Sequence, residues 1–259
     1  MLLVIDVGNT NMALGVYEGE RLRVVWRLTT QASRTVDELG ILCRTLFTLE
    51  GLEFSAVHAI VIASVVPPLD FALRKMAQVY FHLDPLFVDW STPTGMPILY
   101  ENPQEVGADR IADAVAAFAK YGGPCIVVDF GTATTFDAVS ARGEYLGGVI
   151  APGITISAEA LFERTAKLPR VDIRRPSTII GRSTIASIQS GLYFGYIGLV
   201  DGILARMLDE LGPETRVIAT GGLAHLIGRA SAYIQTLDDN LTLDGLRIIY
   251  ERCQESRAK

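Results

Sequence analysis

The stretch Asp6-Val7-Gly8-Asn9-Thr10-Asn11 decides the fold, because it follows an apolar run directly and a similar stretch returns later in the chain. The second stretch is Asp129-Phe130-Gly131-Thr132-Ala133-Thr134-Thr135, which also follows an apolar run. Each is typical of a strand that ends in an Asp-x-Gly turn followed by small polar residues. The two aspartates lie close to half a chain apart, which predicts an internal duplication.

The segments that follow the two turns match as well. Strands predicted over 12–17 and 21–28 flank a short link that contains glycine, and so do strands predicted over 135–140 and 145–150. Two strands joined in this way indicate a β-hairpin. Each half of the chain therefore begins with three predicted strands.

Each half continues with helix, strand and helix. The β-rich run 59–66 precedes a helix from Leu69, and the run 216–219 leads through Thr220-Gly221-Gly222 to a helix from Leu223. A helix over 109–121 ends at Gly122-Gly123-Pro124, a strong stop signal that marks the domain junction. We expect two similar α/β domains, residues 1–121 and 122–259, that face one another across a central cleft. For Thr220-Gly221-Gly222, a backbone surface against adenine or ribose and a simple tight turn remain equal alternatives.

Composition excludes several classes of protein. The 259 residues are 49% hydrophobic and 20% charged, so a disordered chain is excluded. A net charge of −6 and a pI of about 5.2 argue against nucleic acid as a partner. Mean hydropathy is high at +0.31, yet no apolar run approaches the roughly 18 residues of a spanning helix, so we expect buried strands and no membrane.

The termini and cysteines predict the compartment. The first residues are apolar but lack a basic leader, so no signal peptide is expected. Cys43, Cys125 and Cys253 have no CxxC spacing, which argues against a disulfide framework and a cysteine zinc site. We therefore expect a protein of the reducing cytoplasm.

The Asp-x-Gly turn suits nucleotide phosphates. Gly8 is able to take a positive φ and to let a phosphate approach the backbone, while Asn9, Thr10 and Asn11 offer donors in an anion-binding turn. Asp6 repels phosphate, so its presence implies a bound cation between them. Neither a P-loop nor a G-x-G-x-x-G fingerprint occurs, so those nucleotide-binding folds are disfavoured.

Five motifs along essentially the whole chain resemble type III pantothenate kinase. They are Asp6-Val7-Gly8-Asn9-Thr10-Asn11, Gly107-Ala108-Asp109-Arg110, the stretch 129–135, Gly147-Gly148-x-Ile150-x-Pro152-Gly153 and Ser187-Ile188-Gln189-Ser190-Gly191. The first motif alone would indicate only the actin, Hsp70 and sugar-kinase superfamily. The resemblance implies an α/β protein with a duplicated two-domain, ribonuclease H-like fold, mixed sheets and a central cleft. It also implies the ATP-dependent phosphorylation of pantothenate to 4′-phosphopantothenate, the first step of coenzyme A biosynthesis.

The resemblance also implies the site residues. Asp109 is the expected general base, although an acid in the first turn of a helix is common for the dipole alone. Asp129 is the expected ligand of a monovalent cation, potassium or ammonium, and Asp6 is a candidate contact for the magnesium that accompanies ATP. The expected ATP contacts are Asp6, Val7, Gly8, Asn9, Thr10, Asn11, Met12, Ala13 and Thr132. The expected pantothenate contacts are Tyr100, Gly107, Ala108, Asp109, Arg110 and Thr184.

A glycine pattern and a basic segment remain beside these motifs. Gly191, Gly195, Gly198 and Gly202 share one helix face, which indicates close packing within the domain or at a subunit interface. The resemblance implies a homodimer with pantothenate near the interface. Six basic residues fall within 164–182, where guidance of anionic substrates and a solvated loop are both open.

Two other functions remain as alternatives. The same fold supports other small-molecule kinases and phosphatases, since fold does not determine function. A non-catalytic transcriptional regulator on this scaffold is the second alternative. Loss of Asp109 or of the Asp6 turn would favour the regulator, and both are present.

Overall fold

The computed structural model describes residues 1–258, with side chains through residue 256. The chain divides into two compact units, residues 1–116 with the C-terminal segment from Leu241, and residues 117–240. The ten strands are β1 (Leu2–Val7), β2 (Asn11–Glu18), β3 (Arg21–Thr29), β4 (Ala59–Ser64), β5 (Leu86–Phe87), β6 (Cys125–Phe130), β7 (Ala133–Val139), β8 (Tyr145–Pro152), β9 (Arg216–Thr220) and β10 (Thr236–Leu237). The α-helices are α1 (Val36–Leu49), α2 (Pro67–Met76), α3 (Ala108–Tyr121), α4 (Ile154–Glu163), α5 (Thr184–Leu211), α6 (Ala224–Ile227) and α7 (Leu241–Ala258).

The first unit contains a mixed five-stranded sheet in the order β3-β2-β1-β4-β5. β1 pairs antiparallel with β2 and parallel with β4, and it is apolar along almost its whole length because both faces are covered. Leu3, Ile5 and Val7 pack in a core with side chains of α1 and α2. A capping box between Thr35 and Glu38 begins α1.

The second unit repeats this sheet with the order β10-β9-β6-β7-β8. β6 pairs antiparallel with β7 and parallel with β9, as β1 does with its neighbours. One face packs against α5 and α6 through residues such as Val128, Phe136 and Tyr196. The predicted duplicated α/β fold is therefore confirmed. The fifth strand of each sheet was not predicted, because two residues are too few to show a strand pattern.

The last helix corrects the expected division at 121/122. α7 contacts β1, β2 and β4 of the first unit, and Leu241, Leu246 and Ile249 are buried there. The Tyr17 hydroxyl donates to the Asp244 carboxylate at 2.6 Å. The first unit is thus assembled from both ends of the chain, because its sheet exposes an apolar face that α7 covers. The boundary with the second unit falls inside α3, between residues 116 and 117.

α5 is more apolar than the sequence analysis expected. It has 28 residues, and an 18-residue window reaches a mean hydropathy of 1.3 with 28% of the window buried. By length and composition alone such a helix is able to cross a membrane, although core helices of soluble proteins meet the same criteria. Leu192, Tyr193 and Val200 are buried against the second sheet. This packing accounts for part of the apolar character of the helix.

Candidate functional site

The first Asp-x-Gly turn joins β1 to β2 in the first unit. The Gly8 N–H donates to the Asn11 carbonyl at 3.0 Å and closes the turn. Gly8 does not adopt a positive φ, so the turn does not use the conformational freedom that glycine offers there. Its side chain is absent for a different reason, since a Cβ there would lie 3.1 Å from the Asn11 carbonyl oxygen. Asn9 and Thr10 are exposed at the turn, in a position to meet a ligand.

Thr30, which the sequence analysis did not single out, supports this turn. Its hydroxyl donates to the Gly8 carbonyl at 2.7 Å, and its N–H donates to the Thr10 carbonyl at 2.9 Å. Thr30 follows β3 directly, so the residue at the end of the β2–β3 hairpin holds the turn through these two hydrogen bonds. No local sequence signal indicates this role, because the contacts join residues about twenty positions apart.

Asp109 lies in the first turn of α3. Its Oδ1 accepts the N–H of Arg110 at 2.8 Å, and a Cβ at Gly107 would lie 2.5 Å from the same oxygen. That Cβ would also approach a Val65 methyl group at 3.5 Å, while the Val65 N–H donates to the Val7 carbonyl at 3.1 Å. The carboxylate of Asp109 and the first turn are therefore tied to the same edge of the sheet, through the end of β4.

The surroundings of Asp109 favour a base. Burial raises the pKa of its carboxyl group above the ordinary value, and the Arg110 N–H and the Arg110 charge oppose that rise. Arg110 is itself buried beside it. A carboxylate with a raised pKa is a stronger proton acceptor, which suits a general base. The helix N-terminus explains the acid at this position but not its burial.

Tyr100 lies in an irregular loop of the first unit. The loop is fastened from α7, because the Arg252 guanidinium donates to the Thr94 carbonyl at 2.6 Å. Gly95 takes a φ of 73° next to the Arg252 side chain. Tyr100 is half-buried. The sequence suggested the loop, whereas the contribution of α7 was not foreseen.

Asp129 is the last residue but one of β6 in the second unit, and it lies between two glycine turns. A Cβ at Gly131 would lie 3.2 Å from its Oδ2, and a Cβ at Gly221 would lie 2.3 Å from its Oδ1. Gly221 has a φ of 92°, in the region that favours glycine. Gly221 thus lies against the carboxylate, and the segment Thr220-Gly221-Gly222 also makes the tight turn between β9 and α6 that was one of the two alternatives. Carboxylate oxygen in a backbone cradle fits a hard cation.

Thr132 belongs to the same second turn. Its carbonyl accepts the Gly153 N–H at 3.1 Å, and a Cβ at Gly153 would clash with that carbonyl. Gly153 is the residue before α4, so the glycine of the fourth motif lets the start of α4 approach the turn. The motif therefore has a structural reason besides the family resemblance.

Thr184 begins α5 and is exposed. The N-cap is Ser183, whose hydroxyl accepts the Ala186 N–H at 3.2 Å, so capping does not account for Thr184. Thr184 lines an open groove of about 780 Å³ with Arg182, Ser187 and Leu161. The groove is large enough for part of a small ligand.

The expected site residues fall into two groups. The first turn, Tyr100 and the segment 107–110 belong to the first unit, whereas Asp129, Thr132 and Thr184 belong to the second. Among the described residues no three His, Cys, Asp or Glu side chains form a cluster that would hold a metal ion.

Comparison with known proteins identifies close relatives over the full length. The family model of type III pantothenate kinase matches residues 2–206. A type III pantothenate kinase from Koribacter versatilis (strain Ellin345) is 60% identical over 269 residues, covering all of this chain and 98% of that protein.

Solved structures with the same fold are more distant. A Campylobacter jejuni chain named for the Baf family of transcriptional activators superimposes with a TM-score of 0.59 at 18% identity, covering 98% of this chain and 99% of that one. An inorganic polyphosphate/ATP-glucomannokinase from Arthrobacter sp. strain KM gives a TM-score of 0.52 at 13% identity and covers 98% of both chains. These similarities support the sugar-kinase-like fold and nothing finer.

Proposed function

Because the chain belongs to the type III pantothenate kinase family, we propose that it transfers the γ-phosphoryl group of ATP to the 4′-hydroxyl of pantothenate, the first step of coenzyme A biosynthesis. The observation that carries the assignment is that Val65 hydrogen-bonds to Val7, just before the first turn, and also lies next to Gly107, which adjoins the Asp109 carboxylate. A phosphate-binding turn and a half-buried carboxylate base are the two parts that a kinase needs close together.

In the proposed reaction, the first turn holds the ATP phosphates and Asp109 accepts the proton of the attacking hydroxyl. The 4′-oxygen forms a bond to the γ-phosphorus, the bond to the β–γ bridging oxygen breaks, and ADP leaves. A divalent metal such as magnesium, which accompanies ATP, neutralises phosphate charge when bound. Asp6 is the residue of this turn that would contact it. Val7, Gly8, Asn9, Thr10, Asn11, Met12 and Ala13 form the rest of the ATP-binding segment, with Thr132 from the second turn.

Pantothenate is a carboxylate with a terminal hydroxyl, so its site needs a cation and a positioned base. Arg110 is buried next to Asp109 and supplies the cation. Gly107 and Ala108 present backbone at the same place, and Tyr100 offers a hydroxyl and a ring. Thr184 supplies a further hydroxyl from the start of α5.

Asp129 is proposed to hold a monovalent cation, potassium or ammonium. Support comes from the cradle of Gly131 and Gly221, which brings backbone close to the carboxylate oxygens. When bound, such a cation would supply positive charge at the second turn. We further propose that the protein works in the cytoplasm without a membrane or nucleic acid partner. Burial raises the pKa of the Cys43 and Cys125 thiols to about 12, which agrees with cysteines that stay reduced.

The active form is proposed to be a homodimer through the glycine face of α5. A Cβ at Gly191, Gly195 or Gly198 would meet nothing within 4 Å, so packing within this chain does not explain these glycines. Gly costs roughly 1 kcal/mol relative to Ala inside a helix, so an open row of them favours close approach by a second copy. Apolar Ile185 is exposed at the start of the same helix. Because Thr184 lies there too, each site is proposed to depend on α5 of both copies.

One assay tests the reaction. Purified protein is incubated with ATP, magnesium and pantothenate, and 4′-phosphopantothenate is measured in potassium, ammonium, sodium and a bulky organic cation. We expect product in potassium and ammonium and little in the other two. Product formed equally in all four would contradict the cation proposal alone. Absence of product, with phosphorylation of a sugar instead, would contradict the substrate assignment.

A further inference from the structure

A fully buried carboxylate lies in the second sheet and has no part in the proposed reaction. Asp137, in the middle of β7, has no exposed surface. Its Oδ1 accepts the Tyr145 hydroxyl at 2.6 Å, and its Oδ2 accepts the Thr135 hydroxyl at 3.1 Å. Burial of a carboxylate is unfavourable, and hydrogen bonds offset that cost only in part. The presence of a carboxylate in the buried part of β7 therefore needs an explanation.

The strand register places this group next to Asp129. Thr135 on β7 is the direct partner of Asp129 on β6, and Asp137 is two residues further along the same strand. Direct partners in an antiparallel pair share a face of the sheet, with their Cβ atoms about 4.5–5.5 Å apart. One face of the sheet, close to the second turn, therefore carries Asp137, Thr135 and Asp129, with Thr135 next to both of the others.

The first unit is an internal control, because its sheet has the same strand order without these polar residues. There Asp6 pairs with Ala13, the register counterpart of Thr135. Two residues on, Gly15 stands where the second unit has Asp137, and Leu22 opposite Tyr17 corresponds to Tyr145 opposite Val139. The sheet thus forms with small and apolar residues at all three positions. We therefore attribute the polar residues Thr135, Asp137 and Tyr145 to a role that belongs to the second turn and not to the first.

The hydrogen-bond direction indicates what that is. A threonine hydroxyl has one proton, and Thr135 donates it to Asp137. The lone pairs of its oxygen are then left for a group on the other side, and an oxygen with this orientation binds a cation rather than a phosphate. We propose that Asp137 is a positioning residue that holds the Thr135 hydroxyl as an oxygen ligand for the monovalent cation at Asp129. This inference rests on the cation site of the proposed function.

Potassium binding is measured directly, by the rise in melting temperature over a potassium chloride titration at constant ionic strength with choline chloride. The potassium concentration for half-maximal turnover is a second readout. Thr135→Val keeps the shape and removes the hydroxyl, and we expect it to weaken potassium binding by about 10–100-fold, as loss of groups around a metal commonly does. Thr135→Ser keeps the hydroxyl and should bind potassium as the wild type does.

Asp137→Asn tests the positioning role. The amide is a weaker, neutral acceptor and cannot accept from both hydroxyls through two oxygens, so we expect a potassium affinity about 10-fold lower. In the Thr135→Val background the same change should cost no further affinity, because its effect runs through that hydroxyl. Tyr145→Phe is the matched control. It removes the other hydrogen bond to Asp137, and should lower the melting temperature while leaving the potassium affinity unchanged.

Four results would overturn the inference. A folded Thr135→Val protein with wild-type potassium affinity would exclude the hydroxyl as a ligand, whatever Asp137→Asn does. Additive losses in the double variant, or an equal loss in Tyr145→Phe, would reduce Asp137 to a structural residue. If potassium neither binds the wild type nor activates it, the cation site and this inference fail together. Formation of 4′-phosphopantothenate is judged separately and would still support the kinase.

Discussion

At the scale of single residues, the chemistry centres on a carboxylate whose environment is set by its immediate neighbours. Burial raises the pKa of Asp109, and the adjacent Arg110 lowers it. The two effects adjust one proton acceptor through two different physical causes. Because Gly107 carries no side chain, the carboxylate is able to fold back over the preceding backbone. Two changes of single residues separate these contributions.

Asp109→Asn keeps the size of the side chain and removes the proton acceptor. We expect turnover to fall by about 10²–10⁴-fold, the usual contribution of a general base, with a melting temperature close to that of the wild type. Glu105→Gln removes an exposed carboxylate from the same segment and serves as the control. Turnover of Asp109→Asn within twofold of the wild type would exclude Asp109 as the base by the same measure.

Arg110→Gln removes the positive charge that holds the pKa of Asp109 down. The carboxyl pKa should therefore rise further, so that a higher pH is needed to produce the ionised base. The acid limb of the pH profile of kcat should move to higher pH than in the wild type. Arg44→Gln, an exposed substitution with the same change in net charge, should leave the limb in place. A limb that stays or moves to lower pH would contradict the role of this charge.

At the scale of elements, the two Asp-x-Gly strands are alike in register but differ in their turns. Three residues separate β1 from β2, whereas two separate β6 from β7. The first turn is supported by Thr30, and the second by Gly153 and Gly221. The two units therefore share the strand register of the sheet and differ in the residues that support the turn at its edge.

Gly221→Ala tests the cradle of the second turn. The backbone there has a φ of 92°, and the new Cβ would lie 2.3 Å from the Asp129 Oδ1. Strain of about 1–3 kcal/mol is expected, seen as a lower melting temperature, together with a weaker response to potassium. Gly222→Ala is the matched control for stability, since its Cβ would meet nothing within 4 Å. Equal melting temperatures for both variants would argue against a strained cradle.

Elements with a strong local pattern were predictable from sequence, and contacts between distant segments were not. The strands before Asp6 and Asp129 and the hairpins after them follow from apolar runs and glycine links. β5 and β10 are too short to show a period. No local sequence signal predicts that α7 packs on the first sheet. An apolar helix face indicates that the helix is buried, but not which element it packs against. Asp137 lies between the apolar residues Phe136 and Ala138, and its hydrogen bond with Tyr145 becomes visible only once β7 and β8 are paired.

At the scale of the whole molecule, the open glycine face of α5 predicts assembly. Light scattering should give the mass of a dimer, and activity should fall as a dilution series produces monomer. Gly195→Leu places a large side chain on that face and should shift the protein toward monomer and weaken pantothenate binding. Glu50→Leu adds the same side chain to an exposed position in the first unit and should do neither.

Two outcomes separate the parts of this prediction. A fully active monomer would contradict both the interface and the shared site. A dimer whose pantothenate binding survives Thr184→Val would contradict only the contribution of Thr184.

The return of α7 to the first sheet has a consequence for synthesis on the ribosome. Residues 117–240 form a continuous unit that is complete before α7 is made, whereas residues 1–116 emerge first and must wait for it. Until then the face of β1 and β4 that α7 covers remains open to water and to chaperones. The part of the chain that is made first is therefore the last to finish folding. A stop codon shortly before Leu241 should leave a protein whose second unit is protected and whose first unit is degraded.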